Sequence, residues 1–218
     1  MRILALDAAL GRAAIAVVAD GQIVAQRHTQ GGRGQAAILA PMAAEVLAEA
    51  GIAATALDAV AVTIGPGSFT GLRAAIALAH GIAAAAGRPV VGVTVAEAMA
   101  EALPVLGGRA LWVAIDSRRD RIFLDRGAGP EPTDPAALPL PQQRLAIAGD
   151  AAPAIAARLA AAGHDVMLTD LRFPPIRQVA LVAARRLAGD LPPLDAQPLY
   201  VDAPEAKLPR GGLRPAPV

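Results

Sequence analysis

The residues with the clearest chemical potential lie in one run, Val-Thr-Ile-Gly-Pro-Gly-Ser-Phe-Thr-Gly-Leu-Arg, residues 62–73. A β-branched apolar stretch enters Gly65, Pro66 and Gly67, and a helical pattern begins beyond them. Ser68 or Thr70 can cap that helix and leave its first backbone N–H groups free. Free N–H groups at a helix start suit an anion. The spacing fits neither standard phosphate loop, however. A Walker loop needs Lys-Ser/Thr after its last glycine, whereas Gly71 is followed by Leu72 and Arg73. The dinucleotide fingerprint needs a third glycine where Thr70 stands. From these residues alone, Gly65, Pro66, Gly67, Ser68 and Gly71 read as a tight structural turn from strand to helix, with an anion site as the alternative.

Asp7 ends the first apolar run and is the one candidate for cofactor contact. Ala8 and Ala9 follow it, so no hydroxyl accompanies the carboxylate, and Asp7 reads foremost as a structural strand-end residue. Asp116 ends a similar run and is followed by Ser117, Arg118 and Arg119. A carboxylate flanked by arginines is more often paired than catalytic. The three histidines, His28, His80 and His164, are far apart in the chain. Two imidazoles on one helix reach a common metal when they lie about a turn apart, so no metal site is expected. Ser68 and Ser117 are the only serines, and neither lies in a nucleophile elbow. Glu45 with Glu49, and Glu97 with Glu101, are one turn apart, the spacing of a solvated helix face. No catalytic residue is expected.

Composition sets the outer bounds. The chain has 218 residues, 20 Lys+Arg against 19 Asp+Glu, 55% hydrophobic residues and no cysteine. So apolar a chain can offset its ordering entropy and is not intrinsically disordered. Lack of cysteine excludes a disulfide scaffold and a thiolate zinc site. A net charge of +1 gives no overall field for nucleic acid. Alanine carries most of the apolar excess, and Lys207 is the only lysine, both habits of GC-rich coding. Asp7 interrupts the first apolar run too early for a signal peptide, and no stretch reaches the roughly 20 apolar residues of a membrane span. A cytoplasmic location without membrane contact is the expectation.

The elements that must position these residues follow from periodicity. Strands are expected at 3–6, 13–19 and 23–27, with Asp20-Gly21 as a hairpin turn. A helix over 35–50 follows, which Pro41 should kink or mark as its first turn. A buried strand at 58–64 leads through the glycine turn to a helix at 68–86, then a strand at 89–93. Pro104, Gly107 and Gly108 place a boundary at 102–108. Beyond it come strands at 110–115 and 121–124, a loop over 127–141, a strand at 145–148, a helix at 153–162, a strand at 166–168 and a helix at 176–188. A proline-rich tail from Leu191 should lie extended on the surface. The order predicts an α/β protein, a mixed sheet with helices on its faces repeated in two lobes, 1–103 and 104–218.

Taken together, Gly-Pro-Gly-Ser-Phe-Thr-Gly-Leu-Arg after a buried strand, in a chain opening Ile-Leu-Ala-Leu-Asp, resembles the TsaB family of tRNA threonylcarbamoyladenosine biosynthesis proteins. Residues 35–42, 87–100, 111–123, 148–150 and 197–209 resemble further family segments in the same order. The resemblance implies a two-lobed actin/Hsp70/sugar-kinase-like (RNase H-like) fold. It implies a part in placing threonylcarbamoyl on adenosine 37 of tRNAs that read codons beginning with adenine. In that scheme the chain is a non-catalytic subunit. It pairs with a TsaD-type transferase, is joined by a TsaE-type ATPase, meets tRNA only through the complex, and forms a homodimer when alone. ATP and magnesium are used by the complex, and no cofactor is bound by this chain by itself. The sister TsaD-like proteins hold a metal with two histidines on one helix, a motif this sequence lacks.

The family pairs through its first two helices, which puts Leu39, Met42, Leu72, Ile76 and Ala83 at the expected partner interface. Ala74, Ala75, Ala77, Gly81, Ala84 and Ala85 give the second helix little bulk, which permits close helix approach. Two other functions compete. An actin-fold ATP-dependent small-molecule kinase would use Asp7, but needs a phosphate loop and an adenosine pocket, of which Gly149-Asp150 is a thin remnant. A glycoprotease-like peptidase would need a histidine-rich metal motif.

Overall fold

A computed structural model describes residues 1–31 and 34–201. The family-like segment beyond Val201 and Lys207 lie outside the described residues. Two five-stranded sheets carry the chain. The first contains β1 (Arg2–Asp7), β2 (Arg12–Ala19), β3 (Gln22–Gln30), β4 (Ala59–Gly65) and β5 (Val90–Thr94), in the order β3-β2-β1-β4-β5. β1 runs antiparallel to β2 and parallel to β4, and β4 runs parallel to β5. Asp20 and Gly21 both take positive φ, 48° and 76°, as a tight hairpin turn matched to strand twist requires.

The second sheet contains β6 (Ala110–Asp116), β7 (Ile122–Asp125), β8 (Pro130–Thr133), β9 (Leu145–Ala148) and β10 (Val166–Leu168), in the order β10-β9-β6-β7-β8. β6 is antiparallel to β7 and parallel to β9, so this sheet repeats the order and strand senses of the first. β8 falls within 127–141, where the composition predicts a loop. Its Pro-Glu-Pro-Thr run pairs with β7 at the sheet edge, where a proline's missing N–H can face away from the ladder.

The first sheet is covered on both faces. Strand alternation sends Leu4 and Leu6 of β1 to one side and Ile3 and Ala5 to the other. On the Leu4 side lie α1 (Gln35–Ala50) and α2 (Phe69–Ala86), and their core also takes in Val113, Ile115 and Ala148 of the second sheet. α1 runs through Pro41 unbroken. Pro41 is exposed, so the one lost backbone bond is on the solvent side. α2 is long and apolar enough to cross a membrane by length and composition, yet Leu72, Ala75, Ile76, Ala79 and Ala83 are buried in the protein.

On the Ile3 side lie α3 (Val95–Glu101) and α5 (Ile176–Leu187). Residues 176–187 belong by chain order with 104–218, but Val179, Ala180, Val182 and Ala183 pack on the first sheet. Arg186 fastens that crossing. It is buried, donates to the carbonyls of Gly92 at 2.8 Å and Pro192 at 2.7 Å, and pairs with Glu97. Glu97 also completes a capping box with Thr94, and Glu101 pairs with Arg185. The solvated face expected for Glu97 and Glu101 is therefore a set of ties to α5. α4 (Ala152–Ala161) covers the second sheet through Ile155 and Leu159.

Candidate functional site

The Gly65–Gly71 turn is closed by its own chain. The hairpin loop leaving β1 lies directly against it. A Cβ on Gly67 would run into the Ala9 carbonyl, and a Cβ on Gly71 would run into the Ala8 carbonyl. Glycine is required at both positions because backbone approaches backbone. Ser68 N donates to the Ala9 carbonyl at 2.6 Å, and the Ser68 hydroxyl accepts from Gly71 N at 3.2 Å, capping α2. The Gly65-Pro66 peptide is cis. The turn's steric demand comes from Ala8 and Ala9.

Asp7, at the end of β1 just before that loop, has no solvent exposure. Its Oδ1 accepts from the Thr63 hydroxyl at 2.6 Å and from Ala9 N at 3.0 Å, while Oδ2 has no hydrogen-bond partner. Burial raises its pKa to about 6, against the lowering effect of those two hydrogen bonds and of the Arg12 charge. Arg12 donates to the Pro174 carbonyl at 2.7 Å and lies 5.0 Å from the Phe173 ring centroid. Burial lowers its pKa and the Asp7 charge opposes that. Actin-like kinases present such an aspartate to magnesium and phosphate. Here the carboxylate is fully buried, with one oxygen taken up by the Thr63 hydroxyl and Ala9 N, so these residues do not fit that group.

The second lobe arranges its acids differently. A Cβ on Gly149, which has φ 110°, would run into the Ala114 carbonyl. Asp150 Oδ1 accepts from Asp116 N at 2.9 Å, and Arg118 bridges Asp116 and Asp150 at 3.2 and 3.4 Å. Desolvation raises the Asp150 pKa, opposed by the Asp116 N–H and by Arg118. Asp116 is paired, as expected from its flanking arginines.

The five residues assigned to a partner interface are placed otherwise. Leu39, Met42, Leu72, Ile76 and Ala83 are all buried in this chain's own core. The helical stripe that carried the assignment is the face each helix turns to the sheet. The solvent side carries Ile38, Pro41 and Ala44 on α1, and Ala77, Gly81, Ala84 and Ala85 on α2. The small side chains of α2 are thus largely at the surface, whereas Ala75 is buried. Among the described residues, no three His, Cys, Asp or Glu side chains cluster as a metal centre would. His28 and His80 are exposed and His164 is half-buried.

The start of the tail expected to lie extended on the surface makes contacts that spacing did not signal. A strap of residues 192–200 crosses the first lobe. Leu194 O accepts from Gly92 N at 3.0 Å, Ala196 O meets His80 Nε2 at 3.0 Å, and Leu199 N donates to Ile64 O at 2.8 Å. The strap brings Tyr200 to the first turn of α2, where Arg73 Nε donates to its hydroxyl at 2.9 Å. The Arg73 guanidinium also lies 3.8 Å from the Phe69 ring centroid. Phe69 and Arg73 are four residues apart in one helix, a spacing that signals contact. Nothing in the sequence signalled that Tyr200, 127 residues further on, joins them.

The repeated five-strand topology, with helices on the sheet faces, defines the two-lobed actin/Hsp70/sugar-kinase class. The family model for TsaD, tRNA N6-adenosine threonylcarbamoyltransferase, matches residues 23–129. An uncharacterized Mycobacterium tuberculosis protein is 34% identical over 214 residues, covering 94% of this chain and 93% of that one. The Escherichia coli tRNA threonylcarbamoyladenosine biosynthesis protein TsaB is 35% identical over 130 residues, 56% of this chain and 53% of that protein. The chain spans about half the length of the named TsaB proteins it matches. The solved structure of YeaZ from Pseudomonas aeruginosa superposes with a TM-score of 0.75 at 26% identity, covering 91% of this chain and 99% of that one. The chain is thus similar to the TsaB proteins in sequence and to YeaZ in fold.

Proposed function

We propose that this chain is an accessory subunit for threonylcarbamoylation of adenosine 37 in tRNAs reading codons that begin with adenine. It does no chemistry itself. It pairs with a TsaD-type transferase and is joined by a TsaE-type ATPase. The complex uses ATP and magnesium in the cytoplasm, and in the absence of the transferase the chain pairs with itself. The relatives named for threonylcarbamoyladenosine biosynthesis support the pathway. The observation that carries the non-catalytic role is the complete burial of Asp7, bonded to Thr63 and Ala9 N, which speaks equally against the kinase alternative.

The exposed small residues of α2, beside Ile38 and Pro41 on α1, support pairing through these two helices, on the faces opposite those first assigned. Close helix packing there needs small side chains. Gel filtration of the chain with its cognate transferase tests the proposal. Co-elution, weakened by Ala77→Arg with no loss of folding, is the expected result. Separate elution of the two proteins would overturn it.

A further inference from the structure

We propose that Phe69, Arg73 and Tyr200 form a stacking platform for an unpaired nucleotide of the tRNA, so that this chain touches RNA directly. The inference rests on the tRNA pathway assigned above and goes beyond it, since that reading leaves RNA to the partners. Five residues in the whole chain are aromatic. Two of them lie together on the surface, Phe69 at 59% and Tyr200 at 51% exposure, with ring centroids 6.3 Å apart. Burial is the ordinary fate of a phenylalanine. Here the rings flank a cation, with the Arg73 guanidinium 3.8 Å from one centroid and 5.7 Å from the other.

The platform is held in place. The Arg73–Tyr200 hydrogen bond joins the end of the strap to α2, and the Leu199–Ile64 bond fixes the preceding residue. Exposed rings beside a guanidinium are what unstacked bases use on proteins, since every base has a π-face and its phosphate is anionic. The electrostatics agree with an anionic ligand, because the first turn of α2 carries no acidic residue. The immediate neighbours Ser68 and Thr70 are exposed and polar. That surrounding fits a single stacked base better than the apolar centre of a protein interface. Phe69, Arg73 and Ala77 follow one another at four-residue spacing on the exposed side of α2. The platform therefore lies at the edge of the face proposed for the transferase, within reach of RNA held by that partner.

Tyr200 is the only tyrosine, so fluorotyrosine labelling gives a single fluorine NMR resonance at the platform. The full-length chain, alone and with its transferase, is titrated with an anticodon-arm RNA hairpin and with the same hairpin carrying abasic loop positions. The expected result is a resonance shift with the intact hairpin, and binding about fivefold to a hundredfold weaker for the abasic RNA. Phe69→Ala should weaken binding over the same range, and Phe69→Trp should retain it. No RNA-dependent shift in either sample, or equal binding of intact and abasic RNA, would overturn the platform. So would a shift produced fully by the transferase without RNA, which would make the cluster a protein contact. These failures leave the pathway assignment standing, because that assignment falls only if threonylcarbamoyladenosine persists when the gene is deleted.

Discussion

The two lobes share one strand order and one steric device, but differ in where they put charge. In each, a glycine beyond the parallel strand next to the lobe's first strand lies against a backbone carbonyl. Gly67 meets Ala9 in the first lobe, and Gly149 meets Ala114 in the second. In the first lobe the carboxylate ending the first strand, Asp7, is buried and bonded to Thr63. In the second lobe the corresponding Asp116 has a 42% exposed side chain tied to Arg118, while Asp150 is the more buried acid. Repetition of a topology thus preserves close backbone packing more faithfully than it preserves the placement of acids. A further difference is that α5 leaves the second lobe and covers the first, so the first sheet has helices on both faces.

The sharpest way to break this comparison is at the two glycines. Gly67→Val and Gly149→Val should each destabilise the fold by about 4 kcal/mol or more, because a backbone carbonyl cannot move aside as a flexible side chain can. Thermal denaturation measures both. A small effect at one site with a large effect at the other would end the claim of a shared device. Next in size, Arg186→Met should cost about 3 kcal/mol, since it strands Glu97 and two carbonyl groups. Urea denaturation should show that loss, and unchanged stability would mean α5 is not secured by this arginine.

The carboxylates offer a subtler test. Asp7 titrates near 6 when folded, above its ordinary 3.8, so its proton is held more tightly in the folded state. The stability this provides is complete below about pH 3.8 and is lost as pH rises through about 6, a loss of about 2–3 kcal/mol by pH 7. Asp7→Asn should remove this pH dependence, which the wild-type chain should keep. Parallel urea titrations of the two across this range measure the difference, and identical profiles would contradict it. The smallest expected effect is at Gly81, where an added Cβ meets nothing within 4 Å. Gly81→Ala should stabilise the chain by about 0.5–1 kcal/mol. If it also weakens association with the transferase, the exposed α2 face is confirmed as the contact.

Much of the first lobe was legible because its signals are local. The alternation of β1, the Asp20-Gly21 turn and the glycine turn each depend on neighbours in sequence. The paired state of Asp116 was legible for the same reason, through its flanking arginines. The interface residues were misplaced because a helix with apolar side chains on one face and alanines on the others has two plausible contact surfaces. Periodicity identified Leu39, Leu72 and Ile76 as one face, and the sheet rather than a partner covers it. β8 was missed because two prolines hide an edge strand that pairs on one side. The long-range ties of Arg186 to Glu97 and of Arg73 to Tyr200 leave no trace in spacing, because they join segments 89 and 127 residues apart.

Under the proposed function, this chain is needed for threonylcarbamoyladenosine yet does none of its chemistry. Deletion of the gene, followed by mass spectrometry of tRNA nucleosides, tests it most directly. Threonylcarbamoyladenosine should be lost, and restored by the wild-type gene and also by Asp7→Asn. Persistence of the nucleoside in the deletion strain, or failure of a folded Asp7→Asn protein to restore it, would overturn the proposed function.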